Sequence, residues 1–319
     1  MQIVNLDAYT TNPGDLSWKA LEKFGTLTTY ARTEPEEIVP RAKDAEILLV
    51  NKTVITKQIL DQLPKLKYIG LQSTGYNVID CQAAKEKGIT VCNIPSYSTD
   101  GVAQLVFAFI LEIADGVALH NRAVKDGEWS SCPDFCFTKT QIFELRGKSI
   151  GIIGFGSIGR RVAEIAEAFG MQVLAYAPRP KEKGALQTLR FVELDELLRT
   201  ADIVTCHCPL TPETENLINA QNIAKMKKSA ILINTSRGPV VDEQALADAL
   251  NSSRIAAAGL DVLKKEPSDP KNPLLSAKNC YITPHIAWAA VETRRRLIDI
   301  LVKNIECYLN GAPQNVVNP

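Results

Sequence analysis

Three side chains suited to acid–base and anion chemistry stand just past the ends of apolar runs in the second half of this 319-residue chain. Ile231-Leu-Ile-Asn-Thr-Ser236-Arg237-Gly238 carries an arginine at its tip. Ala258-Gly-Leu-Asp261-Val carries an acid, with Glu266-Pro267 shortly beyond, and Tyr281-Ile-Thr-Pro284-His285 ends in a histidine. A guanidinium is a fixed fork of donors that fits a carboxylate. An imidazole beside a carboxylate forms a couple that takes up and gives back a proton near neutral pH. The chain has only three histidines, and His285 alone combines a strand-end position with an acid able to approach. Taken singly, each residue has an ordinary alternative. An arginine at a strand end is commonly half of a surface ion pair, and a histidine after proline is commonly a loop residue.

A second constellation lies upstream. Lys148-Ser-Ile-Gly-Ile-Ile-Gly154-Phe-Gly156-Ser157-Ile158-Gly159 runs from a β-branched strand into a turn with G-x-G-x-x-G spacing and then into an apolar-periodic helix. Each glycine serves a different end. Gly154 makes the tight turn, Gly156 lets a pyrophosphate approach closely, and Gly159 lets the helix pack on the strand. The helix start at Ser157 and Ile158 presents N–H groups and the positive end of the dipole to phosphates. Without the flanking strand and helix, the pattern would be an ordinary glycine-rich turn.

These residues need a frame, and the chain predicts one of the α/β class, with two doubly wound parallel-sheet domains and a cleft between them. In the first hundred residues, strands are expected at 3–6, 27–30, 47–50, 68–71 and 90–92, and helices at 16–24, 36–42, 57–63 (capped by Thr56) and 78–87. A long helix then starts near Asp100, with Val102, Leu105, Val106, Phe109, Ile110, Ile113 and Val117 as one buried stripe. The stretch 126–144 is aperiodic but holds Trp129, Phe135, Phe137 and Phe143. A loop this apolar is covered either by its own domain or by a second subunit. From the fingerprint onward a Rossmann series is expected, with strands at 149–153, 172–177, 190–192, 203–206, 230–234, 255–260 and 281–283. Helices are expected between them at 159–169, 194–200, 220–225 and 243–251. Ligands of such sheets bind outside the carboxyl ends of the strands. A final helix, roughly 288–309, follows the last strand and can cross back to complete the first domain. The expected division is 1–99 plus 289–319 for a flavodoxin-like substrate domain and 100–288 for the dinucleotide domain.

Bulk properties narrow the partners. Lys+Arg and Asp+Glu both number 36, so no strong field gathers nucleic acid or a membrane surface. The N-terminus lacks the charged and apolar regions of a signal peptide, and the most apolar helix is too short to span a bilayer. A cytoplasmic protein is the expectation. Of the eight cysteines, Cys206-His207-Cys208 and Cys132-x3-Cys136 come nearest to ligand spacing, yet neither has a matching second half, so no metal site is expected.

Several motifs in order now carry a resemblance: Gly154-x-Gly156-x-x-Gly159, Pro209-Leu-Thr-Pro-Glu-Thr214, Ser236-Arg237-Gly238, Gly259-Leu-Asp261-Val and Pro284-His285. Together they resemble the D-isomer-specific 2-hydroxyacid dehydrogenase family over almost the whole chain. Thr283-Pro-His-Ile-Ala-Trp-Ala is most similar to glycerate dehydrogenases, also called hydroxypyruvate reductases. The resemblance implies an NAD(P)-dependent oxidoreductase acting on hydroxypyruvate/D-glycerate, with glyoxylate/glycolate a further pair, in a homodimer. Reducing a 2-oxo acid requires a hydride donor, a proton donor and a cation for the carboxylate. Arg237 suits the last need and polarises the carbonyl. His285 is the general acid in reduction and the base in oxidation, with an ionised Glu266 favouring the charged ring. By resemblance, the loop Leu71-Gln-Ser-Thr74-Gly75-Tyr-Asn holds the substrate carboxylate on the N–H groups of Thr74 and Gly75. Cys208, Pro209, Thr214, Thr235 and Ser236 line the cofactor, and Asp261 faces its carboxamide.

The second Rossmann strand usually ends in an acid for the adenosine ribose. Here Tyr176-Ala177-Pro178-Arg179 has alanine at that place, with Arg179 beside it and Arg161 and Lys181 near. A missing acid and a nearby cation favour NADP over NAD. Two further enzyme readings keep the chemistry and change the substrate, to phosphoglycerate or D-lactate. No regulatory domain is expected after Pro319, and no basic cluster marks the substrate loop, which weighs against a phosphorylated substrate. A dinucleotide-sensing corepressor-like scaffold is the remaining alternative, which neutral charge and the lack of disordered tails disfavour.

Overall fold

The computed structural model describes residues 1–179 and 182–319, which divide into two compact units. One comprises Met1–Ser98 with Trp288–Pro319, the other Thr99–Ala287.

In the first unit, strands β1 (Gln2–Asn5), β2 (Thr26–Thr29), β3 (Ile47–Val50), β4 (Tyr68–Leu71) and β5 (Thr90–Cys92) form a parallel sheet in the order β2-β1-β3-β4-β5. Ile47–Val50 and Tyr68–Leu71 are buried at every position, as continuous apolar strands covered on both faces should be. Helices α1 (Ile38–Ala42), α2 (Lys57–Leu60) and α3 (Cys81–Glu86) connect them. Thr56 caps α2 by accepting the Ile59 N–H. The expected helix at 16–24 is instead a 3-10 turn over Lys19–Phe24. The opposite face of the sheet is closed by the chain's return. Leu297, Ile298, Leu301 and Ile305, from a long helix that begins at Val291, pack with Ile3, Ile47, Leu49 and Tyr68.

The second unit opens with α4 (Thr99–Asp115) and α5 (Val117–Lys125). The expected stripe does not continue through Val117. Gly116 takes a left-handed conformation (φ 60°), the two helices meet at a 53° bend, and Val117 is 63% exposed. No single helix among the described residues is long and apolar enough to cross a membrane. Seven strands then follow in the parallel order β12-β11-β10-β9-β6-β7-β8. They are β6 (Ser149–Ile153), β7 (Gln172–Tyr176), β8 (Arg190–Phe191), β9 (Ile203–Cys206), β10 (Ile231–Asn234), β11 (Ala257–Leu260) and β12 (Cys280–Ile282). Between them run α6 (Ser157–Ala168), α7 (Leu194–Thr200), α8 (Ala220–Ile223) and α9 (Glu243–Asn251), and the chain ends through α10 (Val291–Leu309) in the first unit. Helix α4 lies on the sheet: a Cβ on Gly259 of β11 would sit 2.7 Å from the Phe109 ring. The strand order reverses between β6 and β9, so the crevice of this sheet opens at their carboxyl ends.

In the 126–144 stretch, Phe143 packs back on this unit's core, whereas Trp129 and Phe135 are 52% and 89% exposed. Val117, Leu119, Val124 and Ile142 are exposed as well.

Candidate active site

At the β6–β9 crevice the three fingerprint glycines differ in what confines them. A Cβ on Gly154 (φ 94°) would lie 2.6 Å from the Cys208 backbone N, and one on Gly159 would lie 2.3 Å from the Gly154 carbonyl oxygen. Those two glycines are required by the protein's own packing. Around Gly156, by contrast, a Cβ would meet nothing within 4 Å, so the protein itself gives no reason for glycine there. Gly156 is also the N-cap of α6, and no side chain caps that helix. With Ser157, it lines a cavity of about 280 Å³ shared with Thr99, Phe155, Arg160, Arg161 and Glu164. Open space, unsatisfied helix N–H groups and a positive dipole end together fit the phosphates of a dinucleotide. Ile158 occupies the first turn of α6.

The floor of the crevice is built by the segment after β9. Thr205 Oγ1 lies 2.8 Å from the His207 Nε2, and burial pushes the His207 pKa down to about 3, so this ring is neutral at physiological pH. Cys208 is buried and its thiol pKa is raised by burial. Thr214 donates to the Pro209 carbonyl and accepts the Thr211 N–H, which closes that loop on itself. Thr235, just past β10, is 9% exposed, and its hydroxyl has no hydrogen-bond partner among the described residues. Such an orphan suits a ligand group.

Beyond β7, Arg179 is exposed next to Ala177 and Pro178, with no acid at the strand end. Lys181 lies outside the described residues. Arg161, expected near the same place, is instead held by Asp100 and Glu164, each at 2.9 Å. Its neighbour Arg160 reaches this loop, donating to the carbonyls of Glu182 (2.5 Å) and Lys183 (3.1 Å). Successive helical residues point about 100° apart, and so the two arginines take different surroundings.

At the tips of the adjacent strands β10, β11 and β12 stand the turns of Arg237, Asp261 and His285. Arg237 is exposed, its guanidinium donating to the Ser236 carbonyl at 2.8 Å. His285 Nδ1 lies 2.7 Å from Glu266 Oε2, and the other Glu266 oxygen accepts the Leu263 N–H at 3.1 Å. His285 also has φ 55°, an uncommon conformation for a residue with a Cβ, and must be held there by its surroundings. Of the other two histidines, His120 braces its own loop, with Nδ1 by the Gly116 carbonyl and Nε2 accepting the Lys139 N–H. Among the described residues only His285 pairs with a carboxylate. Asp261, assigned from the sequence to the cofactor carboxamide, is 1% exposed and accepts from Thr283 Oγ1, Ile286 N and Ala287 N. Burial raises its pKa against the pull of those three donors.

Two residues of this region were given no role in the sequence reading. Asn234 ends β10 and is fully buried, its side chain bonded to Ser236 and Arg237. Gly238 has a Cβ position only 2.0 Å from the Leu263 carbonyl carbon, so only glycine lets the Arg237 turn lie against the segment leading to Glu266. The repeated strand-tip position of Asn234 was the available signal.

In the first unit, the Thr74 hydroxyl donates to the Ile94 carbonyl, Asn93 donates to the Thr74 carbonyl, and Ser73 donates to the Gly75 carbonyl. The turn is therefore pinned through its carbonyls and side chains. Among the described residues, the N–H groups of Thr74 and Gly75 donate to no protein group. No group of three or more His, Cys, Asp and Glu is placed to hold a metal ion among the described residues.

The chain is similar to known proteins over its whole length. Residues 107–287 match the family model described as D-isomer specific 2-hydroxyacid dehydrogenase, NAD binding domain. A hydroxypyruvate reductase of Blautia hydrogenotrophica is 51% identical over 100% of both chains. A glycerate dehydrogenase of Methylorubrum extorquens is 42% identical over 89% of this chain and 88% of its own. Among solved structures, an acyclic imino acid reductase in complex with NADPH and D-Arg superposes with a TM-score of 0.85 at 33% identity, covering 99% of this chain and 100% of that one.

Proposed function

We propose that this chain, which belongs to the D-isomer-specific 2-hydroxyacid dehydrogenase family, interconverts hydroxypyruvate and D-glycerate, with glyoxylate as a second substrate. The observation that carries the chemistry is the 2.7 Å contact between His285 and Glu266, one strand away from Asp261 and two from Arg237. With Nδ1 turned to the acid, Nε2 is the atom left to give a proton to the forming alkoxide and to take it back in oxidation. Arg237 binds the substrate carboxylate and draws electron density from the carbonyl oxygen. In the first unit, Thr74 and Gly75 have N–H groups suited to a substrate carboxylate. Gly154, Gly156, Ser157, Ile158 and Gly159 hold the pyrophosphate, and Cys208, Pro209, Thr214, Thr235 and Ser236 line the rest of the dinucleotide. When bound, the reduced nicotinamide supplies the hydride.

For the cofactor, the absent acid after β7 and the two cations Arg179 and Arg160 support NADPH ahead of NADH. The exposed apolar group on α5 and the 126–144 stretch supports a second copy of the chain as the partner. A cytoplasmic location accords with both readings.

Steady-state rates with hydroxypyruvate, glyoxylate, pyruvate and phosphohydroxypyruvate, each with NADH and NADPH, test the assignment. Hydroxypyruvate with NADPH is expected to give the highest kcat/KM. Turnover of none of the four acids would remove the catalytic reading.

A further inference from the structure

We propose that Asn234 and Asp261 form one yoke that fixes the Arg237 turn relative to the His285 turn, which makes Asn234 a positioning residue for the reaction. This rests on the roles given to Arg237 and His285 above.

Each half of the yoke is a buried polar side chain that holds one turn. The Asn234 Nδ2 donates to the Arg237 carbonyl at 2.9 Å, and its Oδ1 accepts the Ser236 N–H at 3.0 Å and the Ser236 hydroxyl at 2.8 Å. One amide thus binds both ends of the peptide that presents Arg237. On the next strand, Asp261 Oδ1 accepts from Thr283 Oγ1 at 2.6 Å and Ile286 N at 2.8 Å, Oδ2 accepts from Ala287 N at 2.9 Å, and the Asp261 carbonyl accepts the His285 N–H at 2.9 Å. Four bonds from one residue surround His285 and hold it at positive φ. The two halves are joined directly, because the Asp261 N–H donates to the Asn234 carbonyl at 3.0 Å.

Joining two strands does not need such groups. Apolar side chains would do it without burying an amide and a carboxylate, which is unfavourable unless every bond is made. Hydrogen bonds add direction, and two groups that must meet one small substrate need direction more than they need cohesion. A second link runs alongside: the Gly238 turn lies on the Leu263 backbone, whose N–H holds Glu266 against His285.

The test compares Asn234→Ala and Thr283→Val, which cuts one bond to Asp261 and keeps the side-chain shape. Four quantities are read: kcat and KM for hydroxypyruvate, dinucleotide affinity by fluorescence titration, Tm, and the imidazole NMR signals of His285, assigned by their loss in His285→Gln. In Asn234→Ala, kcat should fall roughly 10- to 100-fold, as expected for a small misplacement of reacting groups. Dinucleotide affinity should change little, and the His285 signals should move even though the Asn234 side chain bonds to Ser236 and Arg237 and not to that ring. Thr283→Val should shift the same quantities in the same direction by less, and it reports even if Asn234→Ala does not fold. An unchanged kcat, unmoved His285 signals, or parallel losses of kcat and dinucleotide affinity overturn the yoke. Absence of turnover in the unaltered protein defeats the functional assignment instead, and the His285 signals still report on the yoke.

Discussion

The roles proposed for Arg237 and His285 are separable, and removal of the two side chains should be separable too. Arg237→Ala removes the fork proposed to bind substrate rather than dinucleotide, so kcat/KM should drop on the order of 100- to 1000-fold, while a fluorescence titration should find dinucleotide affinity nearly intact. Equal loss of both would place the side chain elsewhere. His285→Gln should lower the rate in both directions, because the acid proposed for reduction is also the base for oxidation. His207 acts on stability rather than on rate. Its folded pKa of about 3 lies below the ordinary 6.5, so below pH 6.5 the unfolded chain takes up a proton that the folded protein refuses. Stability is therefore kept above that pH and lost as pH falls toward 3, by up to about 1.4 kcal/mol per pH unit from this one ring. In His207→Gln, the urea midpoint should decline less steeply between pH 6 and 4 than in the unaltered protein; parallel declines would show that the ring is not shielded from water. At this scale the sequence exposed residues whose type is unusual for their place, such as an arginine or a histidine at a strand tip. It hid those whose importance lies in what surrounds them. Asn234 reads as the polar end of a strand until its three bonds are seen, and Arg160 cannot be told from Arg161 before the helix has a face.

Elements show where a glycine serves the protein and where it serves a ligand. Gly156→Ala meets open space and should leave Tm unchanged while weakening dinucleotide binding in a titration. Gly238→Ala meets the Leu263 backbone and should lower Tm and activity together. If Gly156→Ala bound the dinucleotide as well as the parent, the phosphate site would have to lie elsewhere. Strands β3, β4, β6 and β9 were legible to the residue, because continuous β-branched and apolar runs have few other places to go. Helices were less legible. Periodicity alone carries the α4 stripe on to Val117, but Gly116 can adopt the left-handed bend that ends it, and in the first unit the helix expected at 16–24 is a 3-10 turn over Lys19–Phe24.

At the scale of the whole molecule, the exposed side chains of α5 and the 126–144 stretch ask for a cover. Sedimentation of the unaltered protein should give the mass of two chains, and Trp129→Ser with Phe135→Ser should give the mass of one. A single-chain mass for both proteins would leave the apolar group without a role in assembly. Aromatic content flagged this stretch in the sequence, but which of its rings face inward depended on packing. Phe143 does and Phe135 does not, and no periodic pattern distinguishes them.

The return of α10 to the first unit also sets an order of events at the ribosome. Unit Thr99–Ala287 is contiguous and can close as soon as its own residues have been made. The earlier-made strands β1 to β5 must wait, with Ile3, Ile47, Leu49 and Tyr68 uncovered, until Leu297 to Ile305 emerge to cover them. The half of the protein that is synthesised first is thus the half that matures last, and during that interval it is the part most in need of a chaperone.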